Sequence, residues 1–137
     1  MCWRIKLRGL DTNVILRYLL RDNEEQWQLA DQYINNALDT TETCFINNIV
    51  LCEVVWVLRS GYKLSRSELI DTVEKLLRTN IFVFENQEAA WWAVQQMKRG
   101  GADFSDYLIL KVNQQMKCVE TASFDAKLQG VEGIRLL

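Results

Sequence analysis

The sequence contains no histidine, and this absence excludes many catalytic and metal-binding arrangements. A Ser-His-Asp triad, a Cys-His pair, an imidazole general base and any site with histidine ligands are ruled out. Catalysis in this chain would rest on carboxylates, lysine, cysteine, tyrosine or hydroxyl groups. Proline is also absent, so there is no cis-proline turn and no proline-rich linker.

Cysteine pairs and long apolar runs are missing as well. Cys2, Cys44, Cys52 and Cys118 are scattered without a C-x-x-C pair, which argues against a zinc knuckle. No apolar run approaches the ~18 residues of a membrane span, and the first residues lack the apolar core of a secretory signal. We therefore expect a cytoplasmic protein that does not enter a membrane and whose thiols are buried and reduced.

Length and charge narrow the class further. A chain of 137 residues fits one domain, residues 1–137, with a sizeable core. The 16 basic and 18 acidic side chains leave a net charge of −2, which argues against binding to nucleic acid mainly by bulk positive charge. A local basic rim is still compatible with this balance.

Hydrophobic periodicity predicts strands that alternate with helices, and therefore an α/β fold with a mainly parallel sheet. Ser65 and Glu68 form a capping-box pattern at the start of one helix. The predicted strands cover residues 3–10, 44–46, 81–84, 118–122 and 134–136. The other predicted helices cover residues 14–20, 24–38, 47–58, 87–98 and 103–116.

Four acidic residues occupy positions that suit a functional site. Asp11 directly follows the first predicted strand, Asp125 follows the strand at 118–122, and Asp106 lies in the first turn of a helix. Ligands of open α/β sheets bind beyond the carboxyl ends of the strands. Glu53 lies inside an apolar run, where an ionised carboxylate is costly unless it is paired or binds a cation.

Each acid also has a purely structural interpretation. Asp11 suits a helix N-cap, Asp103 with Asp106 resembles an acidic capping box, and Asp125 suits a turn. Glu53 suits either a buried ion pair or a glutamate that reaches solvent from the helix edge. Together, however, acids carried to one edge would repel one another unless a cation lay among them. An all-oxygen site of this kind suits Mg²⁺ or Mn²⁺, which activates water for attack at a phosphoryl centre.

Four ordered segments resemble the motifs of PIN-domain ribonucleases of the VapC toxin type. Any one of them is a weak signal, but the ordered set over about residues 9–137 is specific. The matching segments are LDTNVILRYL at 10–19, LCEVVWVL at 51–58, GGADFSDYLI at 100–109, and SFD at 123–125 with GIRLL at 133–137.

The resemblance implies a three-layer α/β/α PIN-like fold around a parallel sheet. It also implies a Mg²⁺- or Mn²⁺-dependent endoribonuclease that cuts RNA, forms a homodimer and is a toxin neutralised by a cognate antitoxin. The catalytic and metal-binding acids implied by the match are Asp11, Glu53, Asp106 and Asp125. The supporting residues implied by the match are Thr12, Asn13, Asp103 and Ser123, where Ser123 keeps a hydroxyl at a position that usually holds threonine.

Several cationic and aromatic side chains are candidates for contacts with partners. Arg17, Arg21, Lys98 and Arg99 would grip an RNA backbone, although each also suits an ordinary solvated surface. The aromatic candidates for a dimer or antitoxin surface are Trp27, Tyr33 and one of the pair Trp91 and Trp92.

Two other functions compete with the ribonuclease. One is an α/β phosphatase or phosphotransferase, which usually needs a second Asp two residues after the first; Asn13 stands there instead. The other is a non-catalytic PIN-fold module that only binds an antitoxin or RNA. The sequence leaves the RNA target open among tRNA, an rRNA loop and mRNA.

Overall fold

A computed structural model describes residues 6–137, and all six predicted helices are present in it. The elements occur in the order expected for an α/β protein. The strands are β1 (Leu7–Gly9), β2 (Thr43–Ile46), β3 (Phe82–Phe84), β4 (Thr121–Ser123) and β5 (Ile134–Leu136). The helices are α1 (Thr12–Leu20), α2 (Glu24–Asp39), α3 (Asn48–Ser60), α4 (Arg66–Leu77), α5 (Gln87–Arg99) and α6 (Phe104–Gln115), with a 3₁₀ turn at Ala126–Leu128.

The strands pair in parallel throughout the described residues. Strands β1, β2 and β3 form one sheet in that order, with Arg8 opposite Cys44 and Cys44 opposite Phe82. Strands β4 and β5 form a second pair, with Ala122 opposite Arg135. The predicted mainly parallel α/β sheet is confirmed, and the helices around it agree with the three-layer α/β/α architecture. Residues 3–5 of the first predicted strand lie outside the described residues.

Side-chain caps explain where several helices begin. Asp11 accepts a hydrogen bond from the backbone N–H of Val14 at 3.0 Å, and Asn47 accepts one from Val50 at 2.8 Å. At the start of α4, Ser65 and Glu68 make both hydrogen bonds of a capping box. Each cap satisfies an N–H group that has no partner inside its helix. The predicted capping box is therefore confirmed, and so is the N-cap interpretation of Asp11.

The strand predicted at 118–122 is shifted. In the structure β4 begins at Thr121, because the chain first has to close the end of α6. Lys117 adopts a left-handed conformation with φ of 67°, and the backbone N–H of Cys118 donates to the carbonyl oxygen of Asn113 at 3.0 Å. Val119 is 96% exposed. Its apolar side chain is typical of a buried strand, but it lies before the strand and faces solvent.

The core is apolar, and the thiols differ in burial. Among residues 6–137 every fully buried side chain apart from Tyr107 lacks a charged or hydroxyl group. Cys44 is buried and Cys52 half-buried, but Cys118 is exposed. The prediction of buried thiols is thus wrong for Cys118, while Cys2 lies outside the described residues. No helix in residues 6–137 combines the length and apolarity needed to cross a bilayer.

Candidate active site

The corner between β1 and α1 is joined to α3 through a side-chain hydrogen bond. Asp11 lies at this corner as the N-cap of α1, and Thr12 is the first residue of the helix. The hydroxyl of Thr12 donates to Oε2 of Glu53 at 3.1 Å. Thr12 is one of the supporting residues implied by the family resemblance, and its hydroxyl contacts the second acid, Glu53. Asn13 lies exposed beside it and lines the groove next to Asp11.

Glu53 is exposed, so the interpretation as a buried ion pair is wrong and that of a solvent-reaching glutamate at the helix edge is confirmed. It shares a solvent-facing stripe of α3 with Ile49 and Trp56, which are 71% and 65% exposed. The opposite face of α3 carries the buried side chains. An apolar stretch of sequence can therefore form a helix with one exposed face, and Glu53 lies on that face.

The first turn of α6 holds two acids in different ways. The backbone N–H of Asp103 donates to Oδ2 of Asp106 at 3.1 Å, which is one half of the predicted acidic capping box. The carboxylate of Asp103 instead forms an ion pair with Arg59 of α3, at 2.6 Å between Oδ1 and Nη1. Asp103 is therefore paired with a cation, whereas Asp106 makes no ion pair within residues 6–137.

Asp125 is held in a tight turn after β4. The hydroxyl of Ser123 accepts a hydrogen bond from the backbone N–H of Asp125 at 3.0 Å. Oδ1 of Asp125 accepts one from the backbone N–H of Lys127 at 2.9 Å, so this acid caps the 3₁₀ turn. Ser123 thus shapes the turn that carries the fourth acid.

Asp106 and Asp125 lie close enough to influence each other. Burial raises the pKa of Asp106 above its ordinary value, and the negative charges of Asp103 and Asp125 raise it further. The hydrogen bond from Asp103 and the positive charge of Lys127 act in the opposite direction. The carboxylates at the start of α6 and after β4 therefore belong to one electrostatic neighbourhood.

Two grooves lie between α3 and the start of α6. One, of about 460 Å³, is lined by Glu53 and by Ser105, the residue before Asp106. The other, of about 210 Å³, is lined by Cys52, Asp103, Ser105 and Lys127. Glu53 therefore borders the first of these grooves and Asp103 the second, while Asp11 lines a groove between α1 and α2.

The four candidate acids carry no ionic partner but do not form a closed ligand set. Within residues 6–137, none of Asp11, Glu53, Asp106 and Asp125 makes an ion pair with a Lys or Arg side chain. In the same part of the chain, no three acidic or cysteine side chains converge closely enough to hold a metal ion. The oxygen donors suit a hard divalent cation, but their positions in this structure do not fit one.

Comparison with known proteins identifies the family. The PIN domain family matches residues 10–134, which is most of the chain. The chain belongs to the PIN domain family. A curated VapC ribonuclease from Aquifex aeolicus (strain VF5) is 27% identical over 123 residues, covering 90% of each chain. The predicted resemblance to VapC-type PIN domains is confirmed.

Arg66 is a residue of this PIN domain that sequence reasoning missed. Its guanidinium donates to the carbonyl oxygens of Met97, Gly100 and Ala102 at 3.0, 2.6 and 2.7 Å. These carbonyls belong to the end of α5 and to the loop that leads into α6. Arg66 stands inside the capping-box motif, and no local pattern indicates that it reaches a loop more than thirty residues away.

The same loop is held from its other side by Tyr107. The backbone N–H of Ala102 donates to the hydroxyl of Tyr107 at 3.3 Å, and Tyr107 itself is buried. A Cβ atom at Gly100 would collide with that hydroxyl, so the close approach requires glycine. Arg66 and Tyr107 together fix the loop that precedes the two acids of α6, and we call this arrangement the loop clamp.

The predicted basic rim is mostly engaged elsewhere. Arg17 forms an ion pair with Asp22 at 3.2 Å, Arg21 pairs with Glu24 at 3.1 Å, and Lys98 pairs with Glu74 at 3.0 Å. Arg99 makes no ion pair within residues 6–137 and lines a large cleft behind α6. As the structure stands, only Arg99 of the four candidates presents an unpaired charge.

The aromatic candidates for partner contacts are partly covered. Tyr33 lines a mostly apolar groove of about 530 Å³ between α1 and α2, which also contains Asp11. Trp27 instead is covered by Arg21, whose guanidinium carbon lies 3.7 Å from the centre of the Trp27 ring. Trp91 and Trp92 are both half-buried, with Arg78 and Lys111 each 5.4 Å from the respective ring centres.

Proposed function

We propose that this PIN domain is a Mg²⁺- or Mn²⁺-dependent endoribonuclease, the toxin of a toxin–antitoxin pair, which hydrolyses RNA phosphodiester bonds. The observation that carries the proposal is a set of four acids, Asp11, Glu53, Asp106 and Asp125, that make no ion pair with Lys or Arg within residues 6–137 of a PIN domain. A relative that spans nearly the whole chain is named a VapC ribonuclease, which supports the same activity. We also propose that residues 1–137 form a single PIN domain.

The four carboxylates would hold the metal, and they would have to move toward one another to do so. Carboxylates that repel one another stand apart when no cation offsets their charge, and the raised pKa of Asp106 is consistent with such repulsion. A bound divalent cation would supply a water of lowered pKa and offset negative charge on the phosphate.

The chain's own side chains would orient the acids. The hydroxyl of Thr12 holds Oε2 of Glu53 and so restricts the orientation of that carboxylate. Arg59 neutralises Asp103, which limits repulsion next to Asp106. Ser123 keeps the turn in which Asp125 approaches α6.

Cleavage of RNA by the purified chain tests the activity. We expect cleavage with Mn²⁺ or Mg²⁺, none with EDTA, and none from the double variant Asp11→Asn with Asp106→Asn. The matched control is Asp71→Asn, because Asp71 is an exposed carboxylate of α4 that pairs only with Lys75. Cleavage that survives EDTA or the double variant would refute the proposal. A folded chain without metal-dependent cleavage would favour the non-catalytic binding module.

The partners form a second part of the proposal. We propose a cytoplasmic antitoxin whose apolar segment fills the groove between α1 and α2, next to Asp11, and a homodimer of the toxin. Co-expression with the product of the neighbouring gene should relieve growth arrest and protect Tyr33 from modification. Light scattering of the purified chain measures its oligomeric state, and a monomer at all concentrations would contradict the dimer.

A further inference from the structure

The largest cleft of the described chain lies on the opposite side of α6 from Glu53. It has a volume of about 920 Å³ and is bordered by α5, α6 and the segment from Lys117 to Gly133. This volume is at the upper end of the ~300–1,000 Å³ that is usual for ligand pockets. Its size and open form suit an extended chain better than a small molecule.

Unpaired cations are concentrated in this cleft. Many of the basic side chains in residues 6–137 are neutralised by an acid within 4 Å, as Arg17, Arg21 and Lys98 are. Of those that form no ion pair in the same residues, four line the cleft: Arg99, Lys111, Lys117 and Lys127. The remaining ones are Lys6, Lys63 and Arg66, and Arg66 is already bound to carbonyl oxygens.

Acidic side chains do not cancel this charge. Glu120 borders the cleft, but it pairs with Arg135 at 3.7 Å, and Arg135 is not part of the lining. Glu132 is the other acid of the lining, against four cations. The cleft thus carries an excess of unpaired positive charge, although the whole protein has a net charge of −2. Such a local positive potential attracts anions.

The cleft also carries an aromatic surface and leads toward the acids. Trp92 lines it and packs edge-to-face on Tyr107, with 6.2 Å between ring centres. Aromatic side chains beside cations are the combination on which single-stranded nucleic acids bind, through base stacking and phosphate contacts. Lys127 lines the cleft and also the groove with Asp103, and its charge acts on Asp106.

We propose that this cleft binds a single-stranded segment of RNA and guides its backbone past Lys127 to Asp106 and Asp125. The inference rests on the proposed function, because it takes the acids to be the point of cleavage. Three of the four cations that the sequence suggested for RNA contacts are engaged in ion pairs. The cleft therefore assigns the RNA contacts to Lys111, Lys117 and Lys127, together with Arg99.

Binding of RNA without cleavage tests the cleft. The probe is a fluorescently labelled single-stranded RNA, and its anisotropy is measured in EDTA over a range of salt concentrations. The cleft variant carries Lys→Gln at 111, 117 and 127. The control variant carries Lys→Gln at 63, 75 and 98, so both variants lose the same charge. Thermal unfolding checks that each variant is folded.

We expect the cleft variant to bind about tenfold more weakly, and the slope of log K against log salt to fall by about 2, because each lost contact to a single strand contributes roughly 0.7. The control variant should stay within about twofold of the unaltered chain, since its lysines lie outside the cleft. Equal losses in both variants would overturn the inference, because bulk charge would then explain binding.

Two further readouts keep the inference testable on the unaltered chain. A photoreactive RNA should cross-link to peptides that contain Trp92 or residues 117–127, and cross-links confined to α1 and α2 would overturn the inference. An acidic polypeptide of equal charge should compete far less well than RNA. Equal competition would show that the cleft receives an acidic protein segment instead.

The outcome is separable from that of the nuclease assay. RNA binding in the cleft without metal-dependent cleavage would refute the proposed nuclease function but support the cleft as an RNA-binding site. Cleavage that persists in the cleft variant with unchanged RNA affinity would refute the cleft and keep the function.

Discussion

The acids of this PIN domain lie in two regions that differ in how they are held. In the α1–α3 region, Asp11 and Glu53 are exposed, and the hydroxyl of Thr12, the residue after Asp11, donates to Glu53. In the α6–β4 region, Asp106 and Asp125 are partly buried, and Asp106 follows a loop fixed by the loop clamp.

Burial and proximity, rather than the number of acids in a region, therefore determine how far a carboxylate pKa is shifted. Burial and neighbouring charges raise the pKa of Asp106 in the second region. The exposed acids of the first region are solvated by water, which screens their mutual repulsion. We therefore expect the second region to dominate both catalysis and the dependence on pH.

Removing the charge of Asp106 should have the largest effect. We expect Asp106→Asn to lower the rate of RNA cleavage by roughly 10²–10³-fold, as loss of a main charged group in an active site does. Asp103→Asn is the control from the same helical turn, and its smaller loss should reflect a carboxylate already paired with Arg59. Equal rates for the two variants would remove the distinction between the paired and the unpaired acid.

Breaking the loop clamp should have the next largest effect. Arg66→Met leaves three carbonyl oxygens without their charged donor, and we expect it to lower the free energy of unfolding by about 2–3 kcal/mol. It should also lower kcat about tenfold with little change in KM, because Asp106 is displaced.

Arg66→Lys and Arg78→Met are the controls for the clamp. Lysine keeps the charge at 66 and should restore part of kcat. Arg78 follows the last residue of α4, its side chain is 65% exposed, and it pairs with Glu74 at 3.6 Å. Arg78→Met should therefore lower the free energy of unfolding by less than about 1 kcal/mol. Loss of stability in Arg66→Met with unaltered kcat would assign Arg66 a structural role only.

Removing the Thr12 hydroxyl that donates to Glu53 should have a smaller effect on RNA cleavage. Thr12→Val cannot donate to Glu53, and we expect cleavage to fall about fivefold, which corresponds to roughly 1 kcal/mol for one hydrogen bond. Thr12→Ser keeps the donor and should behave as the unaltered chain. If valine and serine at this position give equal rates, the hydrogen bond does not orient Glu53 for catalysis.

The smallest expected effect concerns stability against pH, measured in EDTA by thermal unfolding. Because the pKa of Asp106 is raised in the folded chain, the folded state holds its proton more tightly than the unfolded state does. This stabilisation is present at low pH and is lost as the pH rises from the ordinary Asp value through the raised one. Asp106→Asn should flatten the curve in that window and unfold a few degrees higher at neutral pH, and an unchanged curve would show that Asp106 does not cause the pH dependence.

Local patterns in the sequence were sufficient for most of the fold. The helix at residues 24–38 was predicted from its apolar spacing, and the start of α4 from Ser65 and Glu68, because caps and amphipathic faces depend on neighbours in the chain. Similarly, the motif order was enough to identify the PIN family. By contrast, the strand before Asp125 was predicted to begin too early. Residues 118–120 have strand-like side chains, but the backbone there first terminates α6, so β4 begins at Thr121.

The amino-acid sequence by itself determined the donor chemistry of this protein: four carboxylates, no histidine, and helices and strands in PIN order. Tertiary structure alone decided which charges are free. It exposed Glu53, paired Asp103 with Arg59, neutralised Arg17 and left Lys111 and Lys127 unpaired in one cleft. The physical reason is that an ion pair or a buried charge depends on residues far apart in the chain meeting within a few ångströms, and no local pattern encodes that distance.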